Sequence, residues 1–365
     1  MTIHAVAVPR WGLTMEEGTI TGWQARPGDT IARGAELVEI ETSKIANVVE
    51  AAEAGTLRRI VADEGAVKKV GALIGVITDG DEDDAAIDAF VADFESRFAV
   101  EEATGPSAPT PETIAIDGET SRFLLLDDTG GAGAAPALLL HGFGGDLHNW
   151  MFNQTAWAAD RPAYALELPG HGSSSKAVGD GSLATLARRA IAFLDAKDLA
   201  RVHLVGHSMG AGVALTVAQL APGRVLSVSA VCGAGFGGTL NRDYIEGFIA
   251  AQKRKDMKPV VELLFADPGL VTREMLDDLV AYKRLDGVPE ALRTIADAAL
   301  SEESLAALHA DVGVPVLALF GAEDQVFPTP AAPDEAVIAG VGHMAHMEAA
   351  DAVNARIADF LRAND

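Results

Sequence analysis

The run GHSMG, Gly206 to Gly210, sets a serine between two glycines with one residue on either side. An apolar run, RVHLV, leads into it, and a helix-forming run of Ala, Val and Leu follows, ended by Pro222. Strand, tight turn and helix around Gly-x-Ser-x-Gly is the context of a nucleophile elbow. The glycines let backbone segments approach closely around a strained turn, leaving the Ser208 Oγ exposed for attack on a carbonyl. The helix beginning after Ser208 turns the positive end of its dipole toward the oxygen that becomes negative. A serine needs a base, and the base needs an acid. In this scaffold both follow the nucleophile in the chain, the acid first. LALFGAEDQVFP puts Asp324 just past an apolar strand, with Glu323 beside it and Asp334 further on as alternatives. VIAGVGHMAHME then offers His343 directly after a strand and a glycine, with His346 as the other choice. His343 would take the Ser208 proton and return it to the leaving group, while Asp324 fixes the imidazole tautomer.

A second chemical residue lies far upstream. Lys44 sits in ETSKI between two alternating apolar runs, where a hairpin turn falls. The region around it repeats. Gly18, Gly28, Gly34, Ala35 and Ile40 recur as Gly55, Gly65, Gly71, Ala72 and Ile77, without gaps, 37 residues on. Period-2 apolar spacing broken by glycines predicts short strands, and the recurring glycines predict turns with positive φ or close packing. Two such copies can close around one core as a pseudo-twofold β sandwich, with Lys44 displayed at the junction between them.

These segments resemble the lipoyl-attachment hairpin and domain of 2-oxo acid dehydrogenase acyltransferase subunits, over residues 1 to 80. Gly28, Asp29, Glu41, Lys44 and the second glycine set carry the likeness. The family commonly has Asp before the lysine; this chain has Ser43. Biotin domains share the fold but typically flank their lysine with methionines, which are absent here, so the resemblance implies lipoate on Lys44. The family's usual subunit-binding domain and its C-terminal His-x-x-x-Asp-Gly motif do not occur.

Residues 81 to 112 turn acidic and polar. Ile87, Phe90, Val91, Phe94 and Phe98 fall at helical spacing, which predicts a short helix that rests on its neighbouring domain. Pro106, Pro109 and Pro111 then predict a spacer; wholly flexible, about 30 residues would span roughly 30 Å. From 113 to 365, buried apolar strands alternate with helices, which implies a mostly parallel sheet covered on both faces. Here LLLHGFGGDLHNW resembles the His-Gly oxyanion loop of the α/β-hydrolase family. The resemblance supplies the backbone amides of Phe143 and Met209 as donors to a tetrahedral oxygen, and leaves His141 a structural role. A helical insertion over about 236 to 310 stands where that fold carries its cap, which excludes water and shapes the acyl pocket. The expected fold is an N-terminal all-β lipoyl/biotinyl-type sandwich joined to a C-terminal α/β-hydrolase fold with a helical cap.

The net charge of −25 disfavours nucleic acid and anionic membranes as partners. No apolar run is long enough to span a bilayer, and no secretory leader is evident. The single cysteine, Cys232, fits a reducing compartment and is expected to pack in a strand. A cytoplasmic enzyme is the simplest expectation, with no metal. Against the acidic background, Lys253, Arg254 and Lys255 form a local positive patch that would receive the phosphates of coenzyme A.

Lipoyl domain plus α/β-hydrolase domain resembles the acetyltransferase subunit of acetoin dehydrogenase complexes. That resemblance implies an acetyl group moving from the arm on Lys44 to coenzyme A through a Ser208 acyl-enzyme. It also implies thiamin-diphosphate-dependent E1-type subunits and a flavoprotein dihydrolipoamide dehydrogenase as partners, in an oligomer. Two other readings stand beside it: a serine hydrolase of an ester, thioester or C–C bond with a tethering carrier, and a catalytically idle scaffold.

Overall fold

The computed structural model describes residues 2–9, 17–41, 46–80, 82–104, 110–131, 133–237, 239–305, 308, 312–328 and 336–365. Lys44, Asp334, Pro106, Pro109 and His309 lie outside the described residues. The chain forms two compact units, 1–108 and 109–365.

The first unit holds eight strands: β1 (Ile3–Ala7), β2 (Glu17–Trp23), β3 (Thr30–Ile31), β4 (Glu36–Glu41), β5 (Ala46–Glu50), β6 (Gly55–Ile60), β7 (Val67–Lys69) and β8 (Leu73–Thr78). They pair in two four-stranded sheets, ordered β1-β8-β6-β3 and β5-β4-β2-β7. The sequence repeat maps β2, β3 and β4 onto β6, β7 and β8, and that exchange, with β5 standing in the place of β1, converts one sheet order into the other. This is a lipoyl/biotinyl-type sandwich, and its pseudo-symmetry is the repeat made physical. The paired glycines bear this out: Gly28 and Gly65 (φ 97° and 85°), like Gly34 and Gly71 (79° and 85°), adopt a backbone that side-chain-bearing residues avoid. Ile20, Leu37, Val38, Ile40, Leu57 and Ile74 fill the core between the sheets.

Helix α1 (Asp84–Thr104) follows, longer than the short piece read from the sequence. Ile87, Phe90, Val91 and Phe94 pack against Leu73 and Val76 of β8 and Ile3 of β1. Arg58 and Arg59 of β6 pair with Asp84 and Asp88 on the same helix. The helix therefore belongs to the first unit, and seven residues, 105–111, separate it from the next strand.

The second unit is built on an eight-stranded sheet: β9 (Glu112–Ile116), β10 (Glu119–Leu126), β11 (Ala137–Leu140), β12 (Ala163–Leu166), β13 (Val202–His207), β14 (Val225–Val231), β15 (Val316–Gly321) and β16 (Val337–Ile338). The order is β16-β15-β14-β13-β11-β12-β10-β9. The six strands from β11 onward pair in parallel, while β10 is antiparallel to both β9 and β12. Helices α2 (Gln154–Ala158), α3 (Leu183–Ala196) and α4 (Met209–Leu220) come before β14, and α10 (Ala345–Glu348) and α11 (Ala350–Arg362) close the chain. Central strands β11, β12 and β13 are buried along their whole length, as strands covered on both faces must be.

Between β14 and β15 lie the cap helices α5 (Arg242–Ala250), α6 (Arg254–Glu262), α7 (Arg273–Lys283), α8 (Val288–Ala298) and α9 (Glu302–Leu305). Lys283, at the end of α7, donates to the carbonyls of Phe248, Ile249 and Ala251, which the end of α5 leaves without helical partners. Replacing it by Met keeps the apolar stem but strands three buried acceptors. Lys283→Met is expected to cost about 2–3 kcal/mol and several degrees in the melting of the second unit, read by calorimetry.

Candidate active site

The elbow is strained where the motif requires it. Ser208 has φ 53° and ψ −120°, a conformation that costs a non-glycine residue about 1–3 kcal/mol. Its surroundings over-determine it: the Ser208 N–H donates to the Val231 carbonyl, and its own carbonyl accepts from Ala211 and Ala234. The flanking glycines are required by contact. A methyl group on Gly206 would lie 2.5 Å from the Ala211 backbone, and one on Gly210 would collide with the Leu140 carbonyl. The elbow thus locks β11, β13, α4 and the turn after β14 together.

Asp324 and His343 meet as the chain order predicts. His343 Nδ1 lies 2.8 Å from Asp324 Oδ2, with both side chains almost fully buried. The other carboxylate oxygen, Oδ1, accepts from the backbone N–H groups of Val326 and Phe327 at 2.8 and 2.9 Å. A carboxylate held on both oxygens orients the imidazole with Nδ1 protonated and Nε2 free to accept. Glu323 is exposed and makes no contribution to this pair.

The HGFGG loop follows β11 and rests on the elbow: a methyl group on Gly142 would stand 3.1 Å from the Ser208 Cβ. Met209 opens α4, so its N–H has no acceptor within the helix. Among the described residues, neither it nor the Phe143 N–H is paired with a backbone carbonyl. His141 is structural, as read. Its Nε2 accepts from the Leu168 N–H at 3.0 Å, which leaves Nδ1 to donate to the Gly142 carbonyl at 2.8 Å. Burial lowers its basicity, so it stays neutral.

One expectation needs adjusting. The sequence suggests an exposed Ser208, yet only 6% of the residue is accessible. Helix α5 is the reason: Phe248 packs its ring on Gly144 and edge-on to Phe143, 5.8 Å between centroids. The cap thus covers the HGFGG loop, on one side of the site.

The sequence does not reveal the second layer. His346, the alternative base, is fully buried between Trp150 and His207, ring centroids 4.9 and 4.4 Å away, and burial lowers its pKa to about 3. Cys232 is not a strand residue but the one after β14, with φ 46°. Its sulfur lies within 4.8 Å of the Asp324 carboxylate and the His343 ring, and burial with the nearby Asp324 charge pushes its thiol well up. The available signal was positional: a residue just past the carboxyl end of a parallel strand faces the site.

In the carrier unit, β4 and β5 pair antiparallel with Glu41 opposite Ala46, and Lys44 falls in the connection between them. On the cap, Lys253, Arg254 and Lys255 begin α6, but Arg254 is committed to Asp277 at 2.7 and 3.0 Å.

Residues 136–350 match the family described as alpha/beta hydrolase fold, and residues 4–77 match biotin-requiring enzymes (the biotin/lipoyl domain). Over 99% of each chain, this protein is 44% identical to the dihydrolipoyllysine-residue acetyltransferase component of the acetoin cleaving system of Pseudomonas putida. The corresponding Cupriavidus necator component is also 44% identical, over 99% of this chain and 98% of its own. The chain belongs to this family of E2-type components. Hydrolases share the catalytic fold: a meta-cleavage product hydrolase from Pseudomonas fluorescens IP01 has a TM-score of 0.59 at 20% identity, covering 70% of this chain and 98% of its own. The family member described here is therefore an enzyme with an α/β-hydrolase catalytic core, of a kind that serves acyl transfer or hydrolysis, joined to a lipoyl/biotinyl-type carrier. None of its described helices is long and apolar enough to cross a membrane.

Proposed function

We propose that Ser208 attacks an acyl thioester carried by a lipoyl arm on Lys44, forming an acyl-serine that coenzyme A then cleaves. In the first step His343 takes the serine proton and gives it to the departing thiolate of the arm. In the second it takes the proton of the CoA thiol, and the new thioester leaves while Ser208 recovers its proton. The Phe143 and Met209 amides would hold the oxyanion in each step. The buried Asp324–His343 pair beside the strained Ser208 elbow is the observation that carries the acyl-serine.

The transfer to coenzyme A rests on other support, the full-length likeness to acetyltransferase components. The resemblance to acetoin dehydrogenase acetyltransferases implies the proposed partners, a thiamin-diphosphate enzyme that loads the arm and a flavoprotein that reoxidises it. Lys253 and Lys255, with Arg254 already paired, are the proposed phosphate contacts for CoA.

Hydrolysis is the second reading, and the catalytic geometry alone supports it better. An acyl-serine, a base and two oxyanion donors suffice for a water acceptor, and a solved structure of similar fold is a hydrolase. The deciding experiment supplies acetyl-dihydrolipoamide with and without CoA and identifies the product. Acetyl-CoA, formed only with CoA, is expected; acetate at a rate indifferent to CoA establishes the hydrolase. Intact-mass analysis from a lipoylating host is expected to show a lipoyl adduct that Lys44→Arg removes.

A further inference from the structure

The base and the nucleophile stand on different parts of the sheet, and the Asp324 contact fixes only the tilt and tautomer of His343. Something must also set the depth of the His343 loop against the elbow. His207, the residue before Ser208, is fully within hydrogen-bonding reach of that loop: its Nε2 lies 2.9 Å from the backbone carbonyl of His343. A carbonyl only accepts, so Nε2 carries the proton. Nδ1 is then the bare nitrogen, and it has no partner among the described residues. It faces the oxyanion loop, where a methyl group on Gly142 would be 2.9 Å away. The ring packs 4.8 Å from the His343 ring and 4.4 Å from that of His346, which in turn rests on Trp150.

We propose that His207 is a positioning residue: through one hydrogen bond and one packed face it registers the His343 loop, the Ser208 elbow and the Gly142 loop against one another. The role extends the Ser208 reading above and rests on it. Burial, with His346 and His343 close by, keeps the ring neutral, so it can donate without adding a charge against the imidazolium that forms on His343. The elbow's second position does not touch the reacting atoms. Its effect travels through where it holds the base, and a misplacement of about 1 Å at such a group costs on the order of 10²-fold in rate.

The test compares His207→Phe, a ring without a donor, with His207→Gln, whose amide nitrogen can reach the same carbonyl. Both are made in the full chain, with His207→Leu as the donor-free arm should Phe not fold. Two readouts are taken: the rate of Ser208 labelling by a fluorophosphonate, and amide hydrogen exchange across residues 342–347. His207→Phe is expected to slow labelling about 10²-fold, with little change in the saturation constant, and to speed exchange in that loop. His207→Gln is expected to restore most of both. Equal losses in the two variants, or no loss in either, overturn the proposal. A wild-type chain inert to the fluorophosphonate removes the Ser208 reading instead, and the exchange comparison still decides whether His207 holds the loop.

Discussion

Ser208→Ala is expected to abolish acyl-enzyme formation, lowering turnover about 10⁴- to 10⁶-fold while leaving the fold intact. The loss is large because nucleophile and base act as a unit: without the hydroxyl, the oriented imidazole has nothing to deprotonate. The fold survives because the Ser208 side chain does not cap α4, and its backbone is held by bonds that alanine also makes. Alanine inherits the strain at φ 53°; glycine would not. Ser208→Gly should therefore be as inactive as alanine yet melt higher, a measurable sign that the elbow stores strain for function. The assay is mass analysis of the active-site peptide after incubation with an acyl donor, beside calorimetry. Complex activity that persists in Ser208→Ala would make the second unit a scaffold and sink the acyl-serine.

The structure changes how the carrier is pictured. A wholly flexible segment of about 30 residues would give a long swinging tether. Instead, α1 folds back on β8 through Ile87, Phe90, Val91 and Phe94, and two arginines of β6 hold its first turns. Seven residues of sequence remain between α1 and β9. The apolar spacing announced a helix with one sticky face resting on a neighbouring domain; that the surface is Leu73 and Val76 of β8 is stated by no local pattern.

The same division between local and remote runs through the active site. The meeting of Asp324 and His343 near Ser208 was legible because each of the three follows a strand within a short motif of its own, and chain order then assigned their proposed roles. The recurring glycines were legible because positive φ leaves a residue-type signature. The patch reading of Arg254 misses its partner because Asp277 stands on the next helix, 23 positions along the chain. The surroundings of His207, Cys232 and the alternative base His346 escape a local reading for a related reason. Their roles arise from β13, β14 and β15 lying side by side, which brings residues over a hundred positions apart into contact. Periodicity finds strands; it does not order them.

Asp324→Asn is expected to cost about 10⁴-fold in turnover, and the backbone around it explains why. Oδ1 accepts two N–H groups, from Val326 and Phe327, so in the variant that place can be filled only by the amide oxygen. The amide NH₂ is then forced toward His343 Nδ1, 2.8 Å away in the native pair. Two donors cannot face each other, so the imidazole must release its Nδ1 proton and carry it on Nε2 instead. That is the nitrogen that has to accept the Ser208 proton, and the base is disabled with its position unchanged. Asp324→Ala imposes no such orientation: it leaves Nδ1–H short of a partner but permits the productive tautomer. Alanine should thus retain more activity than asparagine at neutral pH, although it removes more of the side chain. Raising pH should recover asparagine in part, by favouring serine ionisation without the base. The measurement is the labelling rate of Ser208 by a fluorophosphonate in both variants across pH. Asparagine equal to wild type would mean that Asp324 does not orient the base; asparagine above alanine would mean that its Oδ1 is not pinned by the two amides.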